Sequence, residues 1–130
     1  MRTDDESAIV ATVLDYFEGW FEGDPTRMER ALHPALAKRS PAGSAGAGAL
    51  TEDSAGTMLE ATARGVGTTR LPPDGDPRIE IEVEDVYDTI ASVTVRSAVY
   101  HEYLHLVRTP AGWRIANALW KRTLPEGGRS

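Results

Sequence analysis

Apolar residues recur at three- and four-residue spacing near the start of the chain: Ile9, Val10, Val13, Leu14, Phe17, Trp20 and Phe21. Asp15, Glu18 and Glu22 take the other side, and the period predicts an amphipathic helix. Thr3-Asp4-Asp5-Glu6 has the form of a capping box, in which Thr3 and Glu6 satisfy each other's backbone donors, and Gly23 supplies the stop. Tyr16 and Trp20, four apart, lie along one edge of the buried stripe. Asp24-Pro25 opens a second helix with Met28 and Leu32 inward, and His33-Pro34 ends it, because the residue before proline avoids helical geometry. Ala35 to Ser40 reads as a short edge strand. Thr51 or Ser54 caps a third helix carrying Met58, Leu59, Thr62 and Val66, which Gly65 and Gly67 end.

The period then changes to two. Ile79, Ile81 and Val83 alternate with Glu80, Glu82 and Glu84, which predicts a strand with one wet face. Ala91 to Tyr100, rich in Val and Thr, is a second strand. Tyr103 to Thr109 and Trp113 to Arg122 form a hairpin around Thr-Pro-Ala-Gly. No Gly or Pro separates Tyr100 from Tyr103, so a tight turn and one long bent strand both fit there. Helices first and strands after predict an α+β fold with an antiparallel sheet, the helices lying across one face and leaving a cavity. Both faces of the hairpin are apolar. Leu104, Leu106, Ile115 and Leu119 ask for more cover than three short helices give, and a homodimer through the outer sheet face would supply it. Residues 41–50 (PAGSAGAGAL) read as a flexible Gly/Ala loop that could lid a pocket, Leu71 to Pro77 as a linker and 125–130 as a frayed tail.

The bulk numbers narrow this picture. A chain of 130 residues makes one domain spanning 1–130, and 41% hydrophobic with 26% charged residues is a soluble globular composition. The absence of cysteine excludes disulfides, a thiolate nucleophile and Cys-ligated metal. The net charge of −6 argues against a nucleic-acid partner. Residues 1–30 carry eight acids against three bases and residues 96–130 six bases against two acids, but the late bases stand singly. The acidic N-terminus is unlike a secretory signal, and no apolar run approaches the ~18 residues of a membrane span. A cytoplasmic protein that neither enters nor lies on a membrane is the expectation.

His101-Glu102-Tyr103-Leu104-His105 spells H-E-x-x-H. In a zinc protease that spacing works on a helix, where one turn brings both imidazoles to one face. Here the surroundings are strand-like. Residues four apart on a strand sit ~13 Å apart, too far to share an ion with ~2 Å bonds, and the glutamate points to the other face. No metal and no cofactor are expected.

The stretches YFEGWFEGDPTRMERALHP, EYLHLVR and GWRIANALW resemble the family described as "putative lumazine-binding". That family lies within the nuclear transport factor 2-like superfamily, also called SnoaL-like or ketosteroid-isomerase-like. The resemblance covers nearly the whole chain. It implies a cone-shaped fold with three N-terminal helices packed on a strongly curved antiparallel sheet, a pocket inside and usually a dimer. It also places Tyr16 on the isomerase's oxyanion-donating tyrosine, and His105 on or next to its second donor, an aspartic acid there. The isomerase's base has no counterpart, because no Asp or Glu lies between Glu29 and Glu52; Lys38 and Arg39 occupy that region.

Two functional readings follow. One is a binding domain with a mostly apolar pocket for a small apolar or aromatic molecule, contacted by Trp20, Met58, Tyr103, Asn117 and Trp120. The other is a cofactor-free isomerase, dehydratase or cyclase in which Tyr16 and His105 polarise or exchange protons with the substrate. The second requires the Tyr16 hydroxyl and a His105 nitrogen within ~6 Å of each other, so that both reach one atom.

Overall fold

The computed structural model describes residues 3–41 and 48–125. The middle of the expected Gly/Ala loop (42–47) and nearly all of the expected frayed tail (126–130) therefore lie outside the described residues. The elements in chain order are α1 (Asp4–Glu22), α2 (Pro25–Ala31), β1 (Leu32–Ser40), β2 (Thr51–Asp53), α3 (Ala55–Ala63), a 3₁₀ turn (Gly67–Arg70), β3 (Glu80–Tyr87), β4 (Ile90–Arg96), β5 (Tyr100–Thr109) and β6 (Gly112–Arg122). Three helices pack on one face of a curved, unclosed sheet whose strand order is β2-β1-β6-β5-β4-β3.

The helix boundaries follow local chemistry. The Thr3–Glu6 capping box opens α1, and Gly23 closes it in the left-handed conformation at φ 69°. Asp24 accepts from the amides of Thr26 and Arg27 at the start of α2. Of the two candidates for the third cap, Ser54 holds the position. Asp15 on α1 receives both Arg27 (3.0 Å) and Arg30 (2.9 Å) from α2, pinning the two helices together. The two guanidiniums, Arg30 foremost, hold the Asp15 carboxyl below its ordinary range.

Three expectations need correction. First, β1 is longer than expected and is not an edge strand. It runs between β2 and β6, parallel to β6, so the sheet is mixed. Pro34 cannot donate to a ladder, and the β1–β6 register breaks between Leu32 and Ala37, where it sits. Second, the turn before β5 lies at Ser97–Val99, upstream of Tyr100. The Ser97 hydroxyl accepts from the amides of Val99 (3.2 Å) and Tyr100 (2.9 Å), making a turn without Gly or Pro. Third, Leu104, Leu106 and Ile115 are buried under the helices; only Leu119 stays exposed.

The core sits between α1 and the concave face, with Ile9, Val13, Phe17, Val93, Val95, Leu104 and Ile115 essentially inaccessible. Thr12 ties α1 to the sheet through the Trp113 carbonyl at 3.1 Å. The 3₁₀ turn presses on the other end of α1. A Cβ at Gly67 would lie 2.2 Å from the Trp20 carbonyl oxygen, so only glycine allows that approach. Among the described residues, no helix is long and apolar enough to cross a membrane.

Candidate functional site

Strand alternation delivers two charged groups into this core. On β1, Leu36, Lys38 and Ser40 share one phase and are all buried; on β5, Tyr100, Glu102, Leu104 and Leu106 do the same. Tyr16 reaches the same place from the buried stripe of α1. A lysine, a tyrosine and a glutamate thus meet beneath the first helix.

The Tyr16 hydroxyl donates to Glu102 Oε1 at 2.8 Å and accepts from Lys38 Nζ. Lys38 Nζ also faces three rings, with centroids 4.9 Å away at Tyr16, 5.4 Å at Trp120 and 6.0 Å at Trp20. Beside this chain, Trp20 Nε1 donates to the Tyr100 hydroxyl at 2.9 Å, and Tyr100 stacks on Phe21 and meets Trp120 edge-on. Among the described residues Lys38 has one hydrogen-bond partner, Tyr16, which leaves the remaining ammonium protons to the aromatic faces.

Burial disfavours charge on all three groups. It pushes the Glu102 carboxyl up, while Lys38 and the Tyr16 hydroxyl hold it back. It pulls the Lys38 amine down, against the opposing pull of Glu102 and Asp53. It raises the Tyr16 hydroxyl well above its usual range, and the neighbouring Glu102 raises it further. Lysine and glutamate can therefore be both charged or both neutral without changing the net charge, with the Tyr16 hydroxyl as the bridge between them.

The three groups line a cavity of about 70 Å³. Its walls are the rings of Phe17, Trp20, Tyr100 and Trp120, with Met58 from α3 and Asp53 from β2 completing them. A polar floor under an aromatic enclosure is the usual composition of a small-molecule site.

A sequence profile of one family, described as "putative lumazine-binding", matches residues 4–121, nearly the whole chain. The chain belongs to the putative lumazine-binding family. Solved structures of NTF2-like proteins share its fold. An NTF2-like protein of unknown function from Silicibacter pomeroyi superposes with TM-score 0.72 at 19% identity, covering 95% of this chain and 100% of that one. One from Shewanella baltica gives 0.70 at 15%, covering 96% and 100%. A ketosteroid isomerase-like protein from Erwinia carotovora atroseptica gives 0.68 at 16%, covering 95% and 100%. No functionally curated protein matches the chain.

In this member of the putative lumazine-binding family, four of the anticipated residues line one cavity: Tyr16, Trp20, Met58 and Trp120. The other three do not. Tyr103, His105 and Asn117 lie on the outer face of the sheet and are exposed. Asn117 Nδ2 and His105 Nδ1 approach to 3.4 Å there. The expected convergence of Tyr16 and His105 is not met, because the sheet stands between them. The carboxylate that faces Tyr16 is Glu102, three residues upstream. On β5 the H-E-x-x-H letters divide, with His101 and His105 on the outer side and Glu102 inside.

Sequence reasoning missed Lys38 and Glu102 as site residues. A signal for each was present. Glu102 is in phase with Tyr100, Leu104 and Leu106, and Lys38 is in phase with Leu36. A charged residue in the apolar phase of a strand is a candidate for a buried functional group. The signal was masked because Tyr103, Val107 and Leu119 make the opposite phase look equally apolar.

Proposed function

We propose that this chain is a small-molecule-binding domain whose site is the cavity under α1, with Lys38, Tyr16 and Glu102 as its polar floor. The observation that carries the reading is the buried Lys38–Tyr16–Glu102 chain lining an aromatic cavity. Polar groups withdrawn from water at this expense need a reason, and a ligand's polar atom is one. The size of the cavity narrows the ligand. A dry engineered cavity of ~150 Å³ accommodates benzene, so about 70 Å³ suits only a handful of non-hydrogen atoms. A bicyclic ring of the lumazine kind exceeds it. Of the small apolar or aromatic molecule expected, the compact apolar kind with one polar atom fits better than the aromatic.

The test is native mass spectrometry of the protein from its own cells, repeated after mild denaturation, with the indole NMR signals of Trp20 and Trp120 followed during titration with small alcohols and carbonyl compounds. Binding predicts a mass difference lost on unfolding, or saturable shifts of both indoles. Neither effect, in both experiments, would sink the reading.

A second reading, a cofactor-free acid–base enzyme, is favoured by the hydroxyl of Tyr16 accepting from Lys38 and donating to Glu102, which makes a continuous path for a proton. In that reading Glu102 takes the part first given to His105. Single-domain organisation, a cytoplasmic setting and pairing of two copies through the outer sheet face complete the proposal. Pairing is supported by Tyr87, Ile90, Tyr103 and Leu119, at 74%, 56%, 54% and 46% exposure. Light scattering across a concentration series tests it; a monomer at all concentrations would refute it.

A further inference from the structure

We infer that Lys38 is an amine that forms an imine with small aldehydes or ketones in the cavity, an inference that rests on reading the cavity as a small-molecule site. Three observations point to it. Lys38 is a buried amine lining a cavity, not a surface cation. Its one hydrogen-bond partner among the described residues is a hydroxyl that passes on to a buried carboxyl, so a proton donor and acceptor stand beside the nitrogen. The space beyond is small and aromatic-walled, which suits a compact carbonyl compound and restricts water.

The surroundings also favour the nucleophilic form. Lys38 faces Tyr16 from α1, Asp53 from β2, and Tyr100 and Glu102 from β5. The two carboxyls favour the ammonium, but burial outweighs them and moves the amine below the usual lysine range. A desolvated lysine in an apolar pocket is the usual way an amine nucleophile is activated.

The step balances without an oxidant or reductant. The lone pair of Lys38 Nζ attacks the carbonyl carbon and forms the C–N bond, and the C=O π pair moves to oxygen. A proton passes from nitrogen to that oxygen through the Tyr16 hydroxyl, with the Glu102 carboxyl as the neighbouring reservoir, to give a carbinolamine. The C–O bond then breaks as the nitrogen lone pair closes the C=N bond. Oxygen leaves as water with a second proton delivered from Glu102 through Tyr16, and the last nitrogen proton returns to Glu102 by the same route. One amine and one carbonyl compound become one imine and one water.

The sequence offers an internal control, because its two lysines are Lys38 and Lys121. Lys121 is exposed at the end of β6. The full-length protein is incubated at pH 7 with acetaldehyde, and separately with acetone, in the presence of cyanoborohydride. Peptide mapping then separates labelling at Lys38 from that at Lys121 and at the amino terminus. The expected result is reductive alkylation of Lys38 severalfold faster than of Lys121, because burial keeps more of the Lys38 amine neutral at that pH. The preference should shrink as pH rises toward 10. Tyr16→Phe, which keeps the ring, should slow labelling of Lys38 severalfold and leave Lys121 unchanged.

Equal labelling of the two lysines, or labelling confined to Lys121 and the terminus, would overturn the inference. The indole signals distinguish the failures. If acetone shifts Trp20 and Trp120 but Lys38 is not trapped, the imine is wrong and the binding site stands. If nothing shifts and nothing is trapped, both readings fall.

Discussion

The two faces of β5 carry residues of similar chemical promise and use them differently. On the concave side Glu102 is withdrawn from water, bonded to Tyr16 and adjacent to Lys38. On the convex side His101 and His105 alternate with it along the same strand, yet His105 is exposed and, among the described residues, its side-chain polar contact is with Asn117. The concave residues have fixed partners in low dielectric, where a charge is costly and its neighbours decide its state. The convex ones have water. Identity as a catalytic residue type says little; the phase on the strand says more.

The largest effect that would break this contrast is in stability. Removing one partner of a buried charged pair costs about 3 kcal/mol, because the other is left uncompensated. Glu102→Ala should show a loss of that order in urea denaturation, whereas His105→Ala should stay within ~0.5 kcal/mol of wild type, as surface changes usually do. Equal costs would erase the difference between the faces. Replacing the whole cluster should undo the damage. The triple variant Tyr16→Phe, Lys38→Met, Glu102→Leu should return to within ~1 kcal/mol of wild type, since an apolar trio of similar size needs no partners.

A smaller effect concerns pH. The Glu102 carboxyl sits above its ordinary value of 4.5 in the fold, so the folded state holds its proton more tightly than the unfolded one. Its contribution to stability is then fully present below 4.5 and is lost as pH rises through the raised folded value. Lys38 has the opposite displacement: the unfolded chain binds its proton more tightly, so stability is regained as pH climbs from the lowered folded value toward 10.5. Carbon NMR of the Glu102 carboxyl should show Lys38→Met moving its titration further up, because the ammonium holds it down. A downward move would reverse the assignment. The smallest effect belongs to the outer face. Leu119→Arg should change folding stability by less than ~0.5 kcal/mol while shifting a dimer toward monomer by light scattering.

The contrast also explains what could be read before the fold was known. The α1 helix, its caps and the hairpin were legible because their signals are local: a 3.6 period, a capping box, a Pro-Ala-Gly turn. The cavity walls from Tyr16, Trp20, Met58 and Trp120 were legible for similar reasons, large side chains on predicted buried stripes. The partner of Tyr16 was not. Which side of a strand faces the helices is a long-range fact, and on β5 both sides offer apolar residues, Leu104 and Leu106 on one and Tyr103 and Val107 on the other. Lys38 was hidden differently. It lies after Pro34 in a stretch expected at the sheet edge, where a lysine would be ordinary; its burial follows from β1 running inside the sheet, between β2 and β6.

One feature of the hairpin sets the shape of everything above it. Paired end to end, from Tyr100 with Arg122 to Thr109 with Gly112, β5 has 10 residues and β6 has 11. The surplus residue falls at Ala116, between the Asn117–His105 and Ile115–Leu106 pairs. Two rails of unequal length joined at both ends must bend, as a bimetal strip does. Deleting Ala116 would keep Ile115 and Ala118 facing inward and Asn117 outward, so every contact of the core would keep its side. What would go is the share of the bend that this hairpin contributes, next to those of the irregularities in the β1–β6 and β3–β4 pairs.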